Sequence, residues 1–173
     1  EGATQSVRVL TTITFRTGRG GKAMGVIFDK LKQFFDVDDW NYSQLEGETI
    51  LRLGFAGDNG NWTIFAQAKE DAEQLIIYSL LPNNAPEDKR DEVSKFLHMA
   101  NYGLIVGNFE FDFSDGETRF KSSVMAPAQD ITNEMIRHLV YANVLTVDRY
   151  LPGVMGIIFG GKSAEECIYE IEG

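Results

Sequence analysis

NFEFDFSDGETRFKSSVM, residues 108–125, is the stretch on which the fold turns. Phe109, Phe111 and Phe113 alternate with Glu110 and Asp112, the period of two that a strand with one buried face produces. Asp115-Gly116 supplies turn chemistry, and a second β-rich run follows at once. The segment therefore predicts an antiparallel hairpin. Phe109, Phe111, Phe113 and Phe120 should face a core, with Glu110, Asp112, Arg119 and Lys121 facing water.

Upstream, Met24, Ile27, Phe28, Leu31, Phe34 and Phe35 recur at helical spacing and predict a helix from Lys22 to Phe35. Four strand-like segments follow, WNYSQLE, ETILRLGFAG, NWTIFAQAK and EQLIIYSLLP, separated by EG, GDNG and EDA. Turns this short join antiparallel neighbours. A second helix opens near Asn84 or Ala85, with Pro86 in its first turn and Val93, Phe96, Leu97, Ala100 and Leu104 along one side. Downstream of the hairpin, Thr132 is placed to cap a long helix and Ile131 with Ile136 to staple it. Ile136, Leu139, Val140, Val144, Val147 and Leu151 form its buried stripe. Pro152 and Gly153 are expected to kink or end that helix. The class is α+β, an antiparallel sheet flanked by helices. A strand-like arm over residues 1–16, carrying VRVLTTITF (7–15), precedes a single domain over residues 17–173.

The 173 residues include 16 basic and 26 acidic side chains, for a net charge of −10. The balance is uneven: residues 1–32 hold six basic residues against Glu1 and Asp29, so the remainder is an acidic body. Nucleic acid is disfavoured as a partner. No apolar run reaches the ~18 residues of a membrane span, and the single Cys167 excludes an internal disulfide. Both features fit a cytoplasmic protein.

GIIFGGKS, residues 156–163, matches the phosphate-loop pattern G-x-x-x-x-G-K-[ST] through Gly156, Gly161, Lys162 and Ser163. In such a loop the amides cradle phosphate, the Lys neutralises it and the hydroxyl holds Mg²⁺. A buried strand should precede the glycines and a helix-bearing domain should follow. Here a long helix precedes them and ten residues follow, so the segment reads as a helix exit in which Gly160 or Gly161 takes a left-handed cap. TGRGGKA (17–23) satisfies a loose dinucleotide fingerprint, yet hairpins rather than parallel crossovers come after it, leaving Arg16, Arg19 and Lys22 as a basic turn. His98 and His138 have no second ligand at metal spacing and read as partly buried structural residues. No catalytic, cofactor or metal constellation assembles.

Asn101, Leu104, Gly107 and Phe109, then Gly116, Arg119 and Phe120, then Thr132 and Glu134 opening the last helix, together resemble the YbjN-like proteins. The resemblance covers about residues 20–160 and implies the fold of type III secretion chaperones in a bacterial protein. Those chaperones are small, acidic and commonly dimeric. The resemblance further implies a non-enzymatic module that binds another polypeptide or regulates indirectly. A nucleotide-binding regulator using Gly156–Ser163 is the alternative. A twofold homodimer is also expected, because Val154, Met155, Ile157, Ile158 and Phe159 crowd apolar surface near the C-terminus unless the N-terminal arm covers it.

Overall fold

The computed structural model describes residues 25–173; the expected arm over residues 1–16, the turn TGRGGKA and Met24 lie outside the described residues. Helix α1 (Val26–Val37) leads into a meander of β1 (Tyr42–Gln44), β2 (Ile50–Ala56), β3 (Asn61–Lys69) and β4 (Gln74–Leu80). A 3-10 turn at Glu87–Lys89 then precedes α2 (Arg90–Gly103). The chain continues through the hairpin β5 (Asn108–Phe111) and β6 (Thr118–Met125) into α3 (Asn133–Gly160) and α4 (Ala164–Glu172). The strands form one antiparallel sheet in the order β1-β2-β3-β4-β6-β5. The hairpin thus inserts β6 beside β4 and leaves β5 at the rim.

All four described helices lie on one face of this sheet. Their apolar stripes share a core with Leu51, Leu53, Trp62, Ile64, Ala66, Ala68, Leu75, Ile77, Phe109 and Phe120, the residues whose alternation turns them toward the helices. Helix α1 buries Ile27, Phe28, Leu31, Phe34 and Phe35. Its N-terminus has no side-chain cap of its own; the Glu70 carboxylate, from the β3–β4 turn, accepts the Ile27 and Phe28 N–H groups at 3.2 and 2.8 Å instead.

Helix α3 is the main strut. Thr132 Oγ1 accepts the Met135 N–H at 3.2 Å, and Ile131 and Ile136 are both buried beside that cap. Midway, the fully buried Asn143 inserts a polar group into the apolar stripe. Its Nδ2 donates to the Ile77 carbonyl (3.1 Å) and Ser122 Oγ (3.0 Å), while its Oδ1 accepts from Ser79 Oγ at 2.6 Å. Ser79 Oγ in turn accepts the Trp62 indole N–H at 3.0 Å, and Ser122 Oγ donates to the Leu139 carbonyl. The network ties the helix to β3, β4 and β6, and each of these side chains has a partner.

Several sequence expectations are corrected. Helix α3 neither ends at Pro152 nor stops near it: it runs on to Gly160, and Gly153 is buried against Phe96 of α2. A proline removes one intrahelical donor, here to the Asp148 carbonyl, and that carbonyl accepts the Asn59 side-chain amide at 3.0 Å. Phe113 is not a core residue. Strand β5 stops at Phe111, which is half-buried, because Asp112 opens a turn: its carboxylate accepts the Ser114 N–H and its carbonyl the Gly116 N–H. Phe113 is left 54% exposed. Gly116 has φ +81°, and a Cβ there would sit 2.0 Å from the Ala85 carbonyl oxygen, so that turn requires glycine. Glu110, Arg119 and Lys121 are half-buried rather than fully exposed.

His98 and His138 are exposed rather than partly buried, since each falls on the helix side opposite its buried stripe. Helix α4 is an element the apolar pattern does not predict, and it changes the reading of the C-terminal apolar run. Val154, Ile157 and Ile158 are buried in the common core alongside Ala164 and Cys167, with Ile168 and Ile171 packed against it; Phe159 alone of that group is strongly exposed. Intramolecular packing meets most of the demand for cover that the homodimer expectation rested on.

Replacing Asn143 with Ala should destabilise the protein by about 3 kcal/mol, because Ser79 and Ser122 would lose buried partners as well as packing. Phe113→Ala should stay within about 0.5 kcal/mol. Urea unfolding of the two variants checks both.

Candidate functional site

The hairpin β5–β6 builds the most distinctive surface. In its register Glu110 pairs with Arg119 across the two strands, and Lys121 sits one step further along the same face. Arg119 Nε donates to one Glu110 oxygen at 2.7 Å, and Lys121 Nζ donates to the other. The Arg119 guanidinium also lies 5.0 Å from the centre of the Tyr78 ring on β4. Burial raises the Glu110 pKa, but the hydrogen bonds from Lys121 and Arg119 outweigh it and the net shift is downward. The cluster lies on the sheet face without helices, and its charges satisfy one another.

At the rim, β5 is an edge strand, normally open to a further strand. The Asn101 side chain from α2 closes it: its Oδ1 accepts the Phe109 N–H at 2.7 Å and its Nδ2 donates to the Phe109 carbonyl at 3.0 Å. One amide thus takes the place of a neighbouring strand at the centre of the edge. Around that closed edge the side chains are apolar and exposed. Tyr102 and Ile105, at the end of α2 and in the α2–β5 connection, are 96% and 98% exposed; Val106 and Phe113 flank the strand on either side and are about half exposed.

The loop carrying Glu117 holds the one strongly shifted carboxyl among the described residues. Burial and the neighbouring Asp115 charge push its pKa from 4.5 up to about 7, with Arg119 opposing. A group with a raised folded-state pKa binds its proton more tightly in the native protein. Its contribution to stability is full below pH 4.5 and is lost as pH rises toward 7.

The four candidate phosphate-loop residues form a corner between helices. Gly156 lies inside α3, and Gly161, with φ +67°, ends it. Lys162 N–H donates to the Gly156 carbonyl at 3.2 Å, and its ammonium is held by both oxygens of Glu170 at 2.7 and 2.6 Å. Ser163 opens α4 with a reciprocal capping box: its Oγ accepts the Glu166 N–H, and Glu166 Oε2 accepts the Ser163 N–H at 2.8 Å. The Lys162 and Ser163 amides and their side chains are therefore all engaged within the corner. Cys167 is buried just beyond, where burial raises its thiol pKa. Among the described residues no group of three or more His, Cys, Asp or Glu side chains is placed to hold a metal, and no helix is long and apolar enough to cross a membrane. A shallow groove beside β1 and β2, lined by Asn41, Tyr42, Arg52 and Thr63 among others, contains no nucleophile–base pair.

Residues 28–154 match the family model described as "YbjN: Putative bacterial sensory transduction regulator", and the chain belongs to that family. Among solved structures it is similar to YbjN from E. coli, with 12% identity, a TM-score of 0.55, and coverage of 70% of this chain and 85% of that one. Lower similarity, with 15% identity in both cases, extends to the ExsC-ExsE complex (TM-score 0.44, covering 68% of this chain and 85% of that one) and to the HopA1-SchA chaperone-effector complex (TM-score 0.45, covering 75% and 96%). No curated protein matches the chain. The residues that carry the sequence resemblance have structural roles here: Asn101 closes the edge, Gly116 makes the turn, Arg119 holds Glu110, Phe120 fills the core and Thr132 caps α3.

Glu117→Gln should remove the component of stability that Glu117 contributes at pH 4.5 and loses toward pH 7, so the difference between parent and variant should shrink as pH rises through that range; urea midpoints at several pH values measure this. Calorimetric titration with Mg-ATP and Mg-GTP should give no binding heat. Micromolar binding abolished by Lys162→Ala would reverse the reading of that corner.

Proposed function

We propose that this chain is a non-enzymatic polypeptide-binding module of chaperone-like or regulatory type, working in the bacterial cytoplasm, with the rim of β5 as its contact surface. The observation that supports this most directly is the exposure of Tyr102 and Ile105 beside Val106 and Phe113, an accumulation of apolar side chains that water does not favour. Apolar and aromatic anchors of this kind supply most of the binding energy at protein interfaces. The Asn101 closure disfavours strand addition to β5, so the partner engages through side chains packed on the rim. An excess of acidic residues argues against nucleic acid as that partner. The family's description as a sensory transduction regulator agrees with a role exerted through another protein.

A twofold homodimer through the same apolar rim is the second arrangement proposed. Two measurements separate the outcomes. Light scattering over a range of concentrations should show a species of twice 19.4 kDa that Ile105→Asp converts to monomer; a constant 19.4 kDa rejects the dimer and leaves the partner reading standing. Co-purification from the native cell with mass spectrometry should return a protein that the Tyr102→Ser, Ile105→Asp chain no longer retains. Retention indifferent to those substitutions, or a copurified metabolite in place of a protein, would sink the proposal.

A further inference from the structure

The β5 rim is apolar at one end and acidic at the other. Tyr102, Ile105 and Val106 form the first end, and residues 102–108 carry no charged side chain. Phe113 forms the second, within a turn that carries Asp112, Asp115 and Glu117. Residues 84–91, against which this turn is pinned, add Glu87, Asp88 and Asp91 against Lys89 and Arg90. From Val106 to Phe113 the edge spans roughly 20 Å, the reach of about six extended residues.

The acidic end is fixed by the chain's own contacts. The Ala85 N–H donates to the Gly116 carbonyl at 2.8 Å, Asn84 Nδ2 to the Asp115 carbonyl at 3.3 Å and Arg90 Nη1 to the Phe113 carbonyl at 3.0 Å. The Phe113 ring stands edge-on to Phe111 with centroids 4.9 Å apart, so an exposed aromatic is braced in one orientation. Asp112 and Asp115 accept the Ser114 and Glu117 N–H groups within the turn. Among the described residues none of the three carboxylates is ion-paired: Arg119 is held by Glu110, and Arg90 donates to the Ala85 and Phe113 carbonyls. Burial first, and then Asp115 and Asp112, raise the Glu117 pKa, with Arg119 opposing. Fixed like charges beside an exposed aromatic ring are complementary to a cation, which the ring attracts as well. A cation seated there would take the place of the Glu117 proton.

We propose that the partner segment on the β5 rim is both apolar and cationic: its aromatic or aliphatic side chains meet Tyr102, Ile105 and Val106, and a Lys or Arg lies beside Phe113 among Asp112, Asp115 and Glu117. This rests on the rim being the contact surface. The test is selection of a displayed library of random peptides on the full chain, after removal of those that bind the Tyr102→Ser, Ile105→Asp chain. Recovered peptides should combine aromatic or aliphatic residues with Lys or Arg. A synthetic copy should bind at least tenfold more weakly to the chain carrying Asp112→Asn, Asp115→Asn and Glu117→Gln, in which the amides keep the acceptors of the turn. Its affinity for the parent chain should fall with added NaCl and rise about fivefold between pH 6 and pH 8, as deprotonation of Glu117 readies the site. Glu117→Gln alone should remove that rise, which separates Glu117 from His98, the exposed histidine one turn before Tyr102. Rim-dependent peptides that are neutral or acidic, that are insensitive to salt, or that bind the triple variant as tightly as the parent overturn the cationic partner and leave the rim reading standing. Peptides shut out by a dimer that Ile105→Asp dissociates assign the rim to a second copy and overturn it too. A monomer from which no peptide is recovered that the Tyr102→Ser, Ile105→Asp chain fails to bind overturns both.

Discussion

Asn143 holds the molecule in register. An amide buried in an apolar helix stripe must find all its partners at once, and Asn143 finds them only where α3 crosses β4 and β6 at Ile77, Ser79 and Ser122. A slip of one helical turn would leave several buried polar groups unpaired, each costing about 1–3 kcal/mol. With that crossing set, the rest of α3 follows by helical geometry. Asp148 arrives beside the β2–β3 turn, and Tyr150 packs its ring near Phe96 and Phe109 while donating its hydroxyl to Glu172 of α4 at 2.6 Å. Strands, helices and the C-terminal corner are thus referred to one side chain.

Crowding all four described helices onto one face decides where interactions with other molecules can occur. The helix-free face of the sheet and the β5 rim are treated differently. On the face, charges are neutralised in place by the Glu110, Arg119 and Lys121 cluster, and the apolar cluster of Ile50, Phe65, Ile76 and Tyr78 is buried. At the rim, the backbone is satisfied by Asn101 while the side chains stay bare. A closed backbone with open apolar side chains selects for packing contacts over strand exchange, which also protects the edge from aggregation.

The periodic elements are well disclosed by the sequence, because burial on one face imposes a period of two on strands and 3.6 on helices. The stripes of α1, α2 and α3 match the fold nearly residue for residue. Phe113 misleads because alternation continues in the letters after the strand has ended in the Asp112 turn. Asn143 stands at helical spacing with Leu139, Val140 and Val147, so its position is legible, but a polar residue in a stripe does not announce its partners. Helix α4 is hidden under its acidic residues, although Ser163 and Glu166 spell the S-x-x-E capping box. The rim cannot be found by pattern at all: Tyr102, Ile105 and Val106 look like any other apolar residues until the fold leaves them uncovered.

The proline in α3 shows how two local rules can both fail and together make sense. Read separately, Asp58-Asn59-Gly60 is an ordinary turn between strands and Pro152 an ordinary helix stop. In the fold they meet at Asp148. Its carboxylate accepts the Asp58 and Asn59 N–H groups at 3.2 and 2.8 Å, and its carbonyl, deprived of a donor by Pro152, accepts the Asn59 side chain. The turn gains an anchor and the helix gains a substitute donor, so the strand meander is fastened to α3 at the point where the helix would otherwise be weakest. That exchange lets α3 run past Pro152 to the corner at Gly161, and the corner in turn places α4 over the apolar end of the core.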